Sequence, residues 1–421
     1  MNRKSIFTIC SKNYLAQALT LKESVLKYEH DVDFFIFLAD NVTDEIKDVD
    51  VVPLDEQWIP DWKEMAFKYD VIEFNTSIKP FCFEKLFHDG YEKVIYLDPD
   101  MFVVDKLTYI WESLDSYSII LTPHISNLET GDDGILNEEE LLNSGTFNLG
   151  FAAIKNTSWG EKIVNWWCDK LEDGCLFSKT YFFDQKWMNL IPGYCPNELM
   201  VSRHFGLDVA YWNLHERELI YRNDKYFVKD INTGEEYPLL IYHFSGFDPF
   251  RDNVISHHYP KYNIKDYPSF KPIIQEYKTL EYKNGYEFFS NLKYAFNEYD
   301  NGCVILKLHR RLYWATLDEF RGEDPFSSNG CFYKNMEVSN LLSKSKNVSK
   351  SKNTRLTSAD RTSKLRLMRP FAKFLIHIIG VEKFSLLLDR LGTACEMEAQ
   401  TYLMQEMKKV DRFVLFSDRR K

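Results

Sequence analysis

Three nearly uninterrupted apolar runs constrain this chain more than anything else in it: Ser5–Cys10, Val32–Ala39 (VDFFIFLA) and Lys93–Leu97 (KVIYL). A strand wetted on one face alternates apolar and polar residues, so runs without alternation predict strands covered on both faces. Between the first two lies Tyr14–Tyr28, where Leu15, Ala18, Leu19 and Leu26 recur at helical spacing. A short strand is expected at Asp50–Leu54 and a helix through Pro80–Phe87. Strands alternating with helices in this order imply right-handed crossovers and an α/β fold with a mostly parallel, Rossmann-like sheet.

Further strands are expected at Ile119–Thr122, Gly150–Ile154 and Leu240–Phe244, an amphipathic helix at Gly160–Leu171, and a hairpin around Asn232-Thr233-Gly234. From Tyr259 to about Phe332 the chain is Tyr- and Lys-rich and mostly helical in pattern. Four segments are expected: 1–258 as the main α/β domain, 259–339 as a helical extension packed on it, 340–370 as a basic linker, and 371–421 as amphipathic C-terminal helices.

Charge sharpens this division. The 421 residues carry a net −11, yet Leu341–Pro370 alone is +8 and the remainder to Lys421 is +2, which leaves −21 on the first 340. Such a body repels phosphate backbones, so no nucleic-acid partner is expected. The basic segment followed by Phe374, Leu375, Ile378, Ile379, Phe384, Leu387, Leu388 and Leu391 fits a helix lying on an anionic membrane, making residues 341–391 a candidate peripheral membrane contact. A helix packed on the main domain, or on a second copy in a homodimer, is the alternative. Eight scattered cysteines with no CxxC pair point to reduced thiols, and no run reaches the ~18 apolar residues of a spanning helix. A cytoplasmic protein is expected, with membrane contact only at the periphery.

Chemistry concentrates where Val94-Ile95-Tyr96-Leu97 ends in Asp98-Pro99-Asp100. Two carboxylates directly after a buried strand sit at the sheet edge where α/β proteins bind ligands, and their like charges call for a cation. Hard divalent ions, Mn²⁺ or Mg²⁺, suit carboxylate oxygens and bridge to phosphates. His243 ends another apolar strand, ahead of Ser245-Gly246, and would complete an Asp98, Asp100, His243 ligand set. Trp212, Asn213 and His215 belong to a polar–aromatic cluster in an expected loop, which fits either a ligand contact or a structural loop with a packed Trp. The acidic stretch Asn127–Glu140 reads as a solvated loop.

With these residues in place, the chain resembles GT-A nucleotide-sugar glycosyltransferases of the family 8 type and their bacterial relatives. The resemblance covers about residues 5–250. Thr8-Ile9-Cys10-Ser11-Lys12-Asn13-Tyr14 resembles the first-strand loop that holds base and ribose, and Lys79-Pro80 the start of the helix before the metal motif. Tyr96-Leu97-Asp98-Pro99-Asp100 resembles YLDxD, Phe147-Asn148-Leu149-Gly150 the FNxG segment, Asp184-Gln185 the DQ pair, and His243-Phe244-Ser245-Gly246 the HFxG that gives the third metal ligand.

The resemblance implies transfer of a sugar from a nucleoside diphosphate donor, a UDP-sugar, with retention, to a glycan or glycolipid in surface polysaccharide synthesis. It places Thr8, Cys10, Ser11, Tyr14, Lys79, Asp98, Asn148, Gly246 and Arg251 at the donor. Retention implies either an enzyme nucleophile, for which Asp184 or Gln185 is the matched candidate, or front-face attack, with Asp184 instead hydrogen bonding the donor sugar's hydroxyls; Trp212 would then stack on the acceptor sugar and Asn213 or His215 bond its hydroxyls. The family's HFxG is commonly followed by Lys-Pro-Trp, whose lysine meets the pyrophosphate; here Phe247-Asp248-Pro249-Phe250-Arg251 follows, with Arg251 as substitute. Two rivals remain. An aspartyl-phosphate hydrolase wants Thr or Val after its second acid, where this chain has Met101. A non-catalytic carbohydrate-binding or scaffold protein on the same fold would carry a broken metal triad.

Overall fold

The computed structural model describes residues 3–127, 138–178, 180–250, 254–259 and 262–342, with isolated positions between 374 and 404. Arg251, most of the acidic 127–140 stretch, the basic linker and most of the amphipathic tail lie outside the described residues.

The central sheet has six strands in the order β2-β1-β3-β6-β5-β7: β1 (Lys4–Cys10), β2 (Asp33–Leu38), β3 (Lys93–Leu97), β5 (Ile119–Pro123), β6 (Phe147–Lys155) and β7 (Leu199–Val201). β1 pairs in parallel with β2 and β3, and β5 with β7, while β6 runs antiparallel to both β3 and β5. Five of the six strands thus point the same way, and the α/β expectation holds. Every residue of β3 is buried, as its unbroken apolar run requires. The Asp50–Leu54 strand reduces to one bridge, Phe37 to Val52, because Pro53 cannot donate to a ladder.

Helix Leu15–Tyr28 follows β1, helix Lys79–His88 leads into β3, and helix Ser158–Gly174 follows β6. The last is capped by Thr157, whose Oγ1 accepts from Gly160 N at 3.1 Å. Helix Lys271–Lys283 packs on Leu15–Tyr28. Two smaller sheets complete this part. β8 (Arg217–Arg222), β9 (Lys225–Asp230) and β10 (Glu236–Pro238) form an antiparallel meander whose second turn is the predicted Asn232-Thr233-Gly234. β4 (Met101–Val103) pairs antiparallel with β11 (Ile241–His243).

The chain divides into two compact units, one of residues 1–62 and 71–295, the other of 63–70 and 296–421. Residues 259–295, grouped with the extension on sequence, lie in the first. In the second, Phe67, Tyr299, Leu312, Tyr313, Phe320 and Phe332 centre an aromatic core. Its buried Arg310 donates to the carbonyls of Ala66 (3.1 Å), Phe67 (2.8 Å), Tyr69 (2.7 Å) and Phe296 (2.6 Å).

Candidate metal and donor site

The Asp98-Pro99-Asp100 turn carries the chain from β3 into β4, and the β4–β11 pairing sets His243 opposite Met101. Phe244 N donates to Asp100 O at 2.8 Å, fixing the two strand ends together. One short ladder thereby brings the downstream imidazole to the acids. His243 Nε2 is 3.2 Å from Asp100 Oδ1 and 3.9 Å from Asp98 Oδ2, and one ligand atom from each of the three lies within 4.8 Å of the others.

The other imidazole nitrogen is held by a residue no motif announced. His243 Nδ1 is 3.2 Å from Asp208 Oδ1, and Asp208 Oδ2 accepts from Thr122 Oγ1 at 3.1 Å. Asp208 is buried in the left-handed region, at φ 56°. With Nδ1 so occupied, Nε2 faces the acids, which is how metal-binding histidines are oriented. Burial alone would depress the His243 pKa, but Asp100 and Asp208 outweigh it and hold it well above its usual value. Asp98 is raised, chiefly by desolvation against the opposing charges of Lys79 and His243; desolvation also acts on Asp100, where His243 prevails and lowers it.

The space around these groups depends on Gly150. A Cβ there would stand 2.6 Å from His243 Cε1, 2.7 Å from Asn148 Oδ1 and 2.9 Å from Asp98 Oδ2. Oxygen and imidazole donors around a clearing that only glycine leaves open fit a hard divalent ion.

The remaining predicted residues fall into three groups. Asp184 and Gln185 are buried beside β6. Lys79 Nζ pairs with Asp184 Oδ2 and donates to Leu149 O at 2.7 Å, over the ring of Tyr96 at 4.3 Å. Gln185 Oε1 accepts from Leu149 N at 3.4 Å, and its Nε2 donates to Ser144 O at 2.8 Å. The motif pairs Lys79-Pro80 and Asp184-Gln185 therefore brace both peptide groups of Leu149, between Asn148 and Gly150. Desolvation raises the Asp184 pKa against the pull of Lys79.

Asn148 Oδ1 accepts from Gly150 N at 2.9 Å, and its Nδ2 lies 3.4 Å from His124 Nε2. His124, 6% exposed, is pushed down to about 4 by burial, so this histidine is neutral at pH 7. On β1, Thr8 and Cys10 are buried, and Thr8 Oγ1 has no partner. Ser11 Oγ accepts from Asn75 Nδ2 at 2.9 Å, and Tyr14 is 46% exposed.

Of the cluster expected to meet an acceptor, Trp212 stands edge-on to His243 with ring centres 5.1 Å apart, and its buried Nε1 has no hydrogen-bond partner. Asn213 is fully buried. Its Oδ1 accepts from Ala210 N at 3.0 Å, and its Nδ2 donates to Asp208 O at 3.0 Å and His124 O at 3.3 Å, so it braces the turn that carries Asp208. His215 is part-buried, with Nδ1 unpartnered. Gly246 adopts φ +69°, and a Cβ on it would lie 2.3 Å from His258 Cδ2.

No family profile matches the chain. The uncharacterized protein YfnD of Bacillus subtilis (strain 168) is 22% identical over 320 residues, spanning 70% of this chain and 93% of its own. The apo form of glycosyltransferase GlyE from Streptococcus pneumoniae TIGR4 superposes on 69% of this chain at 15% identity and a TM-score of 0.39. That match takes in 62% of the GlyE chain, less than two thirds of its length. The galactosyltransferase LgtC, in complex with donor and acceptor sugar analogs, matches 66% of this chain and 95% of its own, with 15% identity and a TM-score of 0.39.

Proposed function

We propose that this chain is a metal-dependent glycosyltransferase that moves a sugar from a nucleoside diphosphate donor, a UDP-sugar, to a glycan or glycolipid acceptor. The observation that carries the reading is the convergence of Asp98, Asp100 and His243 around the clearing at Gly150, with Asp208 fixing the imidazole. Asp98, Asp100 and His243 would hold Mn²⁺ or Mg²⁺, which when bound supplies Lewis-acid stabilisation of the negative charge on a departing diphosphate.

The protein's own groups do the rest. Asn148 is locked by Gly150 N and His124, so it is preorganised to meet a sugar hydroxyl without an entropic cost on binding. Asp184, buried and engaged by Lys79, suits a hydrogen bond to the donor sugar better than nucleophilic attack. Retention then proceeds by attack on the face from which the diphosphate leaves. Trp212, with an unpartnered indole N–H beside His243, and His215 are the acceptor-side groups. A surface polysaccharide precursor is the acceptor class we propose.

The test is release of nucleoside diphosphate from a panel of nucleotide sugars with Mn²⁺. Wild type should turn over one donor class and lose that turnover with chelator or in Asp98→Asn. Chelator-insensitive turnover would overturn the metal assignment. Binding without turnover, with any acceptor offered, would favour the scaffold reading.

A further inference from the structure

Resting on the reading above, we propose that His258 is the side chain that hydrogen-bonds the diphosphate of the donor. The turn after the metal histidine offers little else. No lysine or arginine lies between His243 and Phe250, and Lys79 is 1% exposed and engaged by Asp184 and Leu149 O. His258 is exposed and stapled to that turn. Ser256 Oγ donates to Ser245 O at 2.8 Å, His257 N to Gly246 O at 2.8 Å, and His258 N to Ser256 Oγ at 3.2 Å.

These bonds lay the imidazole where a Cβ of residue 246 would otherwise be, 2.3 Å from that position at Cδ2. The glycine therefore serves two ends: it supplies the left-handed backbone at φ +69°, and it admits the His258 ring against the chain. The ring of Tyr211 stands 5.9 Å away on another side. The imidazole thus borders the turn that begins at His243, the third member of the candidate metal cluster. A phosphate bound at this turn would meet the His258 ring, which the Ser245 and Gly246 bonds hold in place, so a hydrogen bond to it needs no reorganisation of the loop.

Calorimetric titration tests this without reference to turnover. UDP, GDP, CDP and ADP, each with its monophosphate, are titrated with Mn²⁺ into wild type, His258→Ala and Arg251→Ala. For the diphosphate that wild type binds, His258→Ala should weaken affinity about tenfold or more while changing the matching monophosphate by less than about threefold. Loosening of the loop alone would weaken both ligands alike, so equal losses overturn the assignment. So does an unchanged diphosphate affinity, or a diphosphate-selective loss in Arg251→Ala with none in His258→Ala. In those cases wild-type binding still stands and the glycosyltransferase reading survives. Should wild type bind no diphosphate, both fall together.

Discussion

At the scale of single residues, two groups around the metal site have effects that can be separated. Asp208→Asn keeps a residue that tolerates φ 56° but removes the charge from His243 Nδ1. Loss of such an outer partner should lower Mn²⁺ affinity by about 10–100-fold, read by calorimetry, with the thermal midpoint little changed. Gly150→Ala should abolish Mn²⁺ binding, because its methyl would overlap His243 Cε1 at 2.6 Å. Wild-type affinity in that variant would show that the clearing has no role. Asp98, Asp100 and His243 were legible in the sequence because strand-end placement is a local property. Asp208 was not, because only the fold brings Thr122, Asn213 and His243 around it.

At the scale of elements, Lys79 ties helix Lys79–His88 to β6 and to the Asp184 turn. Lys79→Met would leave a buried carboxylate unpaired and should cost about 3–5 kcal/mol in denaturant unfolding. Lys79→Met with Asp184→Asn should recover much of that loss; an additive double variant would contradict the pairing. The motif reading gave Lys79 to the donor, and the structure shows why sequence could not separate the roles: a lysine at a helix start reads the same whether it faces ligand or a buried acid. Helix Lys271–Lys283 raises a second point. Glu281, 2% exposed, is pushed up to about 8 by burial, with Asp100 adding to the shift and Tyr277 and Gln17 easing it.

Between about pH 4.5 and pH 8 the folded state keeps a proton that the unfolded chain has released, so stability falls as pH rises through this window. Glu281→Gln removes that slope. Its unfolding free energy, read by denaturant titration, should match wild type near pH 4.5 and exceed it increasingly toward pH 8, by an amount on the order of a few kcal/mol. Parallel pH curves for the two proteins would show that Glu281 is charged in the fold.

At the scale of the molecule, the sheet was legible from its apolar runs, while the division into units was not. Residues 63–70 fall within the first 258 residues that the sequence assigns to one domain, yet they belong with 296–342, where the Arg310 guanidinium collects the carbonyls of Ala66, Phe67 and Tyr69. No periodicity announces such a long-range cap. Leu341 O accepts from His309 Nε2 at 3.0 Å, so a chain ending at Leu342 keeps this contact. Among the described residues no helix is long and apolar enough to cross a membrane. We expect the 1–342 chain to match full-length protein in nucleotide binding while losing any co-sedimentation with phosphatidylserine vesicles. Equal sedimentation of both would remove the role proposed for 341–391.

Calorimetric titration of UDP into the full chain, with and without Mn²⁺ and again in Asp100→Asn, tests the central claim most directly. The account predicts UDP binding that requires Mn²⁺ and is lost in the variant. UDP binding that persists at wild-type strength without the metal, or in Asp100→Asn, would contradict it.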